Sequence, residues 1–358
     1  MEGTYFTGRA TEYRQYIWKK YMILLGLLVL LLAMGIWAIS AGSSGLSISE
    51  ILSALLKKGP AQSQTIVWNV RMPQVCAGIS VGAALALTGC VMQNVLRNPL
   101  ASASTLGVSQ GASFGAAVAI VYFGAGIQVN SGTTSAITVT NPYIVTICAF
   151  LGGVTTTVII LALSRLRGAT PSTLILAGVA ISSMFTGATT LIQYFCDDVM
   201  LATVVYWTFG SLSRASWREI ALISVLSGLA FLFFMWNRWN YNAMESGHHT
   251  AKSLGVPVEV LILSSMTICA LISSVSVAFV GCINFIGLIA PHMVRKFVGN
   301  DFRFLIPGSA CMGAILMLGA NIASKTLASP AVLPIGALTS FLGAPLFLYM
   351  IVRGGTRK

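Results

Sequence analysis

The chain has 358 residues, of which 56% are hydrophobic and only 8% charged, and its formal net charge is +12. A soluble globular domain carries roughly 25% charged residues, so this composition, with a mean hydropathy of +0.84, cannot build a water-facing surface. Most of the surface must face lipid, where a charge at the bilayer centre costs about 3 kcal/mol or more.

Taken from the N-terminus, residues 1–20 read as a cytoplasmic tail ending in Lys19 and Lys20. The first apolar run, Tyr21 to Ala41, is longer than a signal-peptide core and shows no small-residue cleavage site, so it reads as a retained helix. Ser49 to Lys58 reads as a short amphipathic helix, too short to cross a bilayer. Runs near the length of a span, about 20 residues, follow at 75–95, 101–123, 143–163, 172–195, 219–237, 257–279, 281–298, 304–324 and 335–352. Two of them nearly merge at Gly281. The expectation is an all-α polytopic membrane bundle of about ten transmembrane helices. It forms one domain over 21–353, followed by a cytoplasmic tail at 354–358. No stretch is long and polar enough for a separate soluble domain. There is no GxxxxGK[ST] phosphate loop, so nucleotide hydrolysis is not expected within the chain.

Charge placement orients the bundle. With a cytoplasmic N-terminus and ten alternating helices, fifteen Lys and Arg fall on the inner side and six on the outer side. The outer six are Lys57, Lys58, Arg71, Arg214, Arg218 and Lys325. The positive-inside rule favours this arrangement, with both termini cytoplasmic, and it accounts for the basic balance without nucleic acid. All nine acidic residues fall in loops or at helix ends. Ion-coupled carriers usually need an ionisable relay within the membrane, so transport energy is expected from elsewhere.

The seven cysteines are scattered through apolar runs without a CxxC pair. They read as small apolar packing residues, with neither disulfide nor metal framework. Cys196, beside Asp197 and Asp198, is the one in a polar setting. Glycines sit inside the spans: Gly78, Gly82 and Gly89, then Gly107, Gly111 and Gly115, then Gly336 and Gly343. They permit close helix approach; small residues lining a pathway is the alternative.

Three stretches are more specific. Residues 71–111 include Asn98-Pro99-Leu100-Ala101. Residues 281–303 include Gly287-Leu288-Ile289 with Pro291-His292, and residues 334–347 include Gly343-Ala344-Pro345. From about residue 25 to 353 the chain resembles the FecCD-type permeases, which import iron–siderophore, haem and cobalamin compounds. The resemblance implies the type II fold of importers driven by ATP-binding cassettes. It also implies a homodimer or heterodimer of permease subunits in the cytoplasmic membrane. Two cytoplasmic ATPase subunits and an extracytoplasmic substrate-binding protein complete the assembly. The chain itself would be a transport subunit rather than an enzyme, with no cofactor.

Residue by residue, the resemblance places an ATPase-coupling loop at 239–256, with Gly247, Ala251, Leu254 and Gly255 matching. It places binding-protein docking at Arg71 and Lys325, for which membrane-interface anchoring is the alternative. A gate falls at Thr170, Pro171 and Ser172, although Ser172 can equally cap a helix. Asn98-Pro99 reads as a structural turn, since Pro99 cannot continue the helix and biases Asn98 away from helical geometry. Gly287, Pro291, Gly343 and Pro345 belong to the structural motifs. The chain departs from the family at Gln74, where a second Arg is usual. Ser102 and Ala103 stand where Asp and Pro are common, and Asn321 and Lys325 where the family often has Asp and Arg. His248 and His249 lack a third metal ligand nearby, and the lone His292 is assigned no chemistry. The expected cargo is an iron chelate such as a siderophore or haem. Cobalamin and an oxyanion such as molybdate are alternatives of the same class, and an ion-coupled secondary carrier is the alternative of another.

Overall fold

The computed structural model describes residues 2–42, 46–125, 127–129, 137–139, 141–164, 171–329 and 331–355. The described chain is an all-α bundle. Its one departure is a two-stranded antiparallel ladder, β1 (Ile127–Val129) and β2 (Ile137–Val139), with Ile127 opposite Val139.

α1 (Glu2–Ser40) is one unbroken helix of 39 residues. At 1.5 Å per residue it is about 58 Å long, so residues 2–20 are the first half of this rod, continuous with its span. α2 (Ile48–Leu55) starts in a capping box, where Ser47 accepts from the Glu50 N–H and Glu50 Oε2 accepts from the Ser47 N–H at 2.8 Å. This is the amphipathic helix expected near 49–58. α3 (Ala61–Thr65), a π-helical turn over Ile66–Arg71, and α4 (Met72–Val95) then run end to end. The rod therefore begins at Ala61, well before the apolar run at 75, because the polar Ala61–Thr65 segment carries no apolar signal. In the π turn the Met72 N–H reaches the Val67 carbonyl. That wider turn leads into Pro73, which has no N–H to contribute.

The remaining helices are α5 (Val108–Tyr122), α6 (Pro142–Ser164), α7 (Pro171–Phe195), α8 (Asp198–Thr208), α9 (Trp217–Trp236), α10 (Arg238–Glu245), α11 (His248–Ser253), α12 (Val258–Val280), α13 (Ile286–Val298), α14 (Phe302–Thr326) and α15 (Ile335–Gly355). Among the described residues, seven helices are long and apolar enough to cross a membrane: α1, the α3–α4 rod, α6, α7, α9, α12 and α14. α5 and the Ile335–Tyr349 stretch of α15 are shorter apolar helices.

Two expected spans are cut short by backbone geometry. Residues 281–285 are not helical, with Gly281 at φ +82 and Phe285 at φ +69. That leaves α13 with 13 residues, about 20 Å, less than the hydrocarbon thickness of about 30 Å. Residues 101–107 form a turn ending at Gly107 (φ +85), and α5 starts only at Val108. Ser102 organises that turn: its N–H donates to Thr105 Oγ1 at 2.9 Å, and its hydroxyl accepts from the Thr105 N–H at 3.2 Å. α8 was not expected, because an apolar stretch of 11 residues is too short to register as a span.

α4 is the central rod, buried along nearly its whole length against α9, α12, α13 and α14. Glycine pairs set its closest crossings. Gly82 meets Gly313 on α14, and a Cβ built on Gly89 would run into the Gly287 carbonyl of α13. Gly111 and Gly115 on α5 do the same against Gly152 and Cys148 on α6. α1 lies outside this core, packed mainly on α14. All seven cysteines are free. Several carboxylates serve helix N-termini, where the helix dipole favours them. Asp197 accepts from the Met200 N–H at 2.8 Å and Glu219 from the Ser216 N–H at 2.6 Å, while Asp301 caps α14.

Candidate functional site

The segment joining α9 to α12 folds into α10 and α11, two short helices locked onto the end of the bundle. The lock begins with apolar and aromatic packing. Tyr241 is fully buried between Phe234 and Phe302, with ring centroids 6.3 and 5.6 Å away. Its hydroxyl pairs with Ser265 of α12 at 2.7 Å. Polar bonds follow on each side. Asn94 of α4 donates to the Tyr241 carbonyl at 3.2 Å and to Glu245 Oε2 at 3.1 Å. Asn242 donates to Asp301 at 3.2 Å and accepts from the Phe302 N–H at 2.8 Å. Asn300 donates to Glu245 Oε1 at 2.6 Å. α10 is thus tied to α4, α12 and α14 together.

α11 divides the four residues of the expected coupling loop into two pairs. Gly247 and Ala251 face the protein and are buried. Leu254, 68% exposed, and Gly255 face outward with His249, Thr250, Lys252 and Ser253. Gly247 (φ +114) and Gly255 (φ +84) adopt backbone conformations that favour glycine. The first turns the chain out of α10, and the second ends α11. Arg97, itself at φ +46, lies over Gly247.

Among the titratable groups shifted here are His248 and Asp301. Burial and the neighbouring Arg97 charge hold His248 below the ordinary imidazole value, against a hydrogen bond to the Val95 backbone. At Asp301, burial acts to raise the carboxyl, but hydrogen bonds from Arg303 and Asn242 outweigh it and hold the group below its ordinary value. The Arg303–Asp301 ion pair closes at 2.6 Å.

Asn98 and Pro99 follow α4 in a turn that ends the helix by a Schellman pattern. The Asn98 N–H donates to the Gln93 carbonyl and the Arg97 N–H to the Asn94 carbonyl, both at 3.0 Å. The Asn98 side chain then accepts from the Leu100 N–H at 2.8 Å. A cavity of about 240 Å³ opens beside this turn, lined by Gln93, Asn94, Arg97, Glu245 and Arg295 among others.

The expected docking residues lie at the other end of α4, 23 residues and about 35 Å from Asn94. Arg71 is only 3% exposed, and its guanidinium donates to the Ile39 and Ser40 carbonyls at 2.6 and 3.2 Å. It caps the C-terminus of α1. Lys325, partly exposed, is close enough to feel the Arg71 charge. Gln74 is buried and donates to Ser213 at 2.7 Å, while its oxygen and the amide nitrogen of the buried Asn321 have no hydrogen-bond partner among the described residues.

Of the expected gate, Thr170 lies outside the described residues, and Pro171 and Ser172 form the first turn of α7. Gly287 makes the tight α4 crossing. Pro291 sits inside α13 and Pro345 inside α15. A Cβ on Gly343 would press on the Phe285 side chain at 2.6 Å, so α15 seats the strained residue that starts α13. Sequence reasoning missed Glu245, Asn94, Asn242 and Asn300. The signal that was there is Glu245 standing at the C-terminal end of a short helix, the end where a carboxylate is disfavoured.

Comparison with known proteins identifies this architecture. Residues 29–353 match the model of the FecCD transport family. The chain belongs to that family. A Methanocaldococcus jannaschii protein provisionally named as an ABC transporter permease is 48% identical over 96% of this chain and 97% of its own. The hemin transport system permease of Yersinia pestis is 34% identical over 92% of this chain and 96% of its own. A transporter assigned to the metal-chelate ABC type, solved in an inward-facing conformation, superposes with a TM-score of 0.79 at 28% identity, covering 93% of this chain and 99% of that one. This chain is accordingly a multi-pass membrane permease of the ABC importer class.

Proposed function

We propose that this chain is the membrane subunit of an ATP-driven importer for an iron chelate, a siderophore complex or haem. The observation that carries the reading is α11, a short helix with Leu254 and Gly255 exposed, whose companion α10 is bonded to three bundle helices at once. An ATPase gripping that helix moves the bundle as a rigid body. In this reading two cytoplasmic ATPases engage α11 of two permease subunits, identical or different. Lys325 lies at the far end, beside the Arg71 that caps α1, to meet an acidic surface of a substrate-binding protein. Thr170, Pro171 and Ser172 narrow the inner end of the pathway. The basic residues concentrated at the α10–α11 end support a cytoplasmic placement of that end and of both termini.

The iron-chelate cargo is supported by relatives named for hemin and for ferric citrate, the latter a Bacillus subtilis permease 31% identical over 94% of this chain. A relative named for vitamin B12 makes cobalamin the competing cargo. The test is reconstitution with the partner ATPase and binding protein, followed by ATP-dependent uptake of haemin, ferric citrate, a ferric hydroxamate and cyanocobalamin. ATP-driven uptake of an iron compound is expected. Preference for cyanocobalamin changes the cargo, and uptake in ATPase-free vesicles driven by an ion gradient overturns the reading.

A further inference from the structure

Apart from the exposed Glu12 within α1, the described carboxylates stand at or beside helix N-termini, with one exception. Glu245 is the last residue of α10, where the field of its own helix opposes a negative charge. It is held there by two amides from different elements. Asn94, 4% exposed in the last turn of α4, donates to one carboxylate oxygen, and Asn300, between α13 and α14, donates to the other. Both Asn94 amide hydrogens go to α10, one to Glu245 and one to the Tyr241 carbonyl. Arg295 of α13 lines the same cavity but spends its Nη1 on Gln93 at 3.2 Å and forms no ion pair with Glu245. Among the described residues the carboxylate therefore forms no ion pair, and its position does not favour its own helix. What it does is clip the C-terminus of α10 to α4 and to the α13–α14 turn.

We propose that Glu245 is the positioning residue that carries displacement of the α10–α11 unit into α4. α4 is the receiving element because the Gly89–Gly287 and Gly82–Gly313 contacts leave no slack between it and α13 and α14. Movement of its end is passed along the core. The proposal rests on the reading of α11 as the ATPase contact.

The test compares wild type, Glu245→Ala, Glu245→Gln and the double variant Glu245→Gln/Asn300→Asp. Each is reconstituted with the ATPase and binding protein. ATP hydrolysis is measured beside uptake of whichever compound wild type carries among haemin, ferric citrate, a ferric hydroxamate and cyanocobalamin. Glu245→Ala keeps its ATP hydrolysis and loses uptake by about tenfold or more, within the usual range of coupling between sites. Glu245→Gln is intermediate, because bonds from Asn94 and Asn300 to a neutral amide are weaker than those to a carboxylate. The double variant recovers uptake, since the introduced glutamine accepts from Asn94 through its oxygen and donates through its nitrogen to the introduced aspartate. Unchanged uptake in Glu245→Ala overturns the proposal. So does a proportional fall of hydrolysis, uptake and assembled complex together, or a double variant no better than Glu245→Gln. Failure of the wild-type chain to assemble with the ATPase overturns the importer reading instead, and this proposal with it.

Discussion

At the C-terminal end of α4, Asn94 gives both amide hydrogens to α10, and the carboxylate it meets is also bonded to Asn300. At the N-terminal end, Gln74 gives one hydrogen to Ser213, and its oxygen and the nitrogen of Asn321 have no partner among the described residues. The Asn94 oxygen is likewise without a partner among the described residues, so neither end is fully satisfied. The first end is nonetheless cross-bonded to several helices, and the second is a sparser network beside two cations, Arg71 and Lys325. A cross-bonded network fixes relative positions, because a shift strips the buried Asn94 amide of its acceptors, at a cost of about 1–3 kcal/mol. A sparser network with surplus positive charge is suited to meeting an acidic partner, and complementary charge there sets orientation and encounter rate more than affinity. On the proposed function, one rod joins an end that transmits force to an end that receives a partner.

The sharpest way to break this contrast is at the outward face of α11. Leu254→Arg leaves the fold intact, since the side chain is already exposed, but is expected to weaken ATPase binding by about 2 kcal/mol or more, the size of an interface hot spot. Co-purification of the ATPase with the permease measures it. Normal co-purification would remove α11 from the contact.

At the other end the two cations should behave differently. Arg71→Ala strips the α1 C-terminal carbonyls of their donor and should destabilise the permease by about 1–3 kcal/mol, read as a lowered Tm in detergent. Lys325→Ala should leave Tm unchanged and slow association with the binding protein, an effect that shrinks with added salt. Equal Tm losses would make both residues structural.

A smaller effect is expected from pH. His248 is held below its ordinary value near 6.5 by burial and by Arg97. A lowered folded pKa means the folded form resists protonation, so this contribution to stability is complete above the ordinary value and is lost as pH falls below it. Thermal stability at the α10–α11 end should fall as pH drops below about 6.5, and His248→Gln should flatten that slope. Asp301, also lowered, loses its contribution only at more acidic pH, which separates the two. The smallest change is expected from Asn321→Asp, which sets a carboxylate one helical turn from Lys325 at a buried position, where desolvation offsets the pairing gained and no net stabilisation follows. It should also reduce the attraction for an acidic partner. Faster association in that variant would contradict the docking role of this end.

Much of the bundle was legible because lipid imposes a simple condition, an uninterrupted apolar run that satisfies its own backbone. The spans at 143–163, 172–195, 219–237, 257–279 and 304–324 each match a long helix within a few residues. The condition fails where the signal is not apolar length. Ala61–Thr65 is polar yet extends the α4 rod, and α8 is apolar yet too short to register. Gly281 and Phe285 shorten α13 through positive φ angles that neighbouring packing enforces. At the site, the residues of the proposed coupling loop could be named from the family resemblance, but which of them face outward could not.

Composition and charge order alone determined that this is a polytopic membrane protein, and the motifs from Asn98 to Pro345 pointed to its family. Tertiary structure alone decided that Arg71 caps α1, that Gln74 and Asn321 are buried near it, and that Glu245 joins three parts of the chain. The physical reason is range. Burial in lipid is a local property of a run of residues, whereas a hydrogen bond between Asn94 and Glu245 spans 151 positions and exists only once the helices between them have packed.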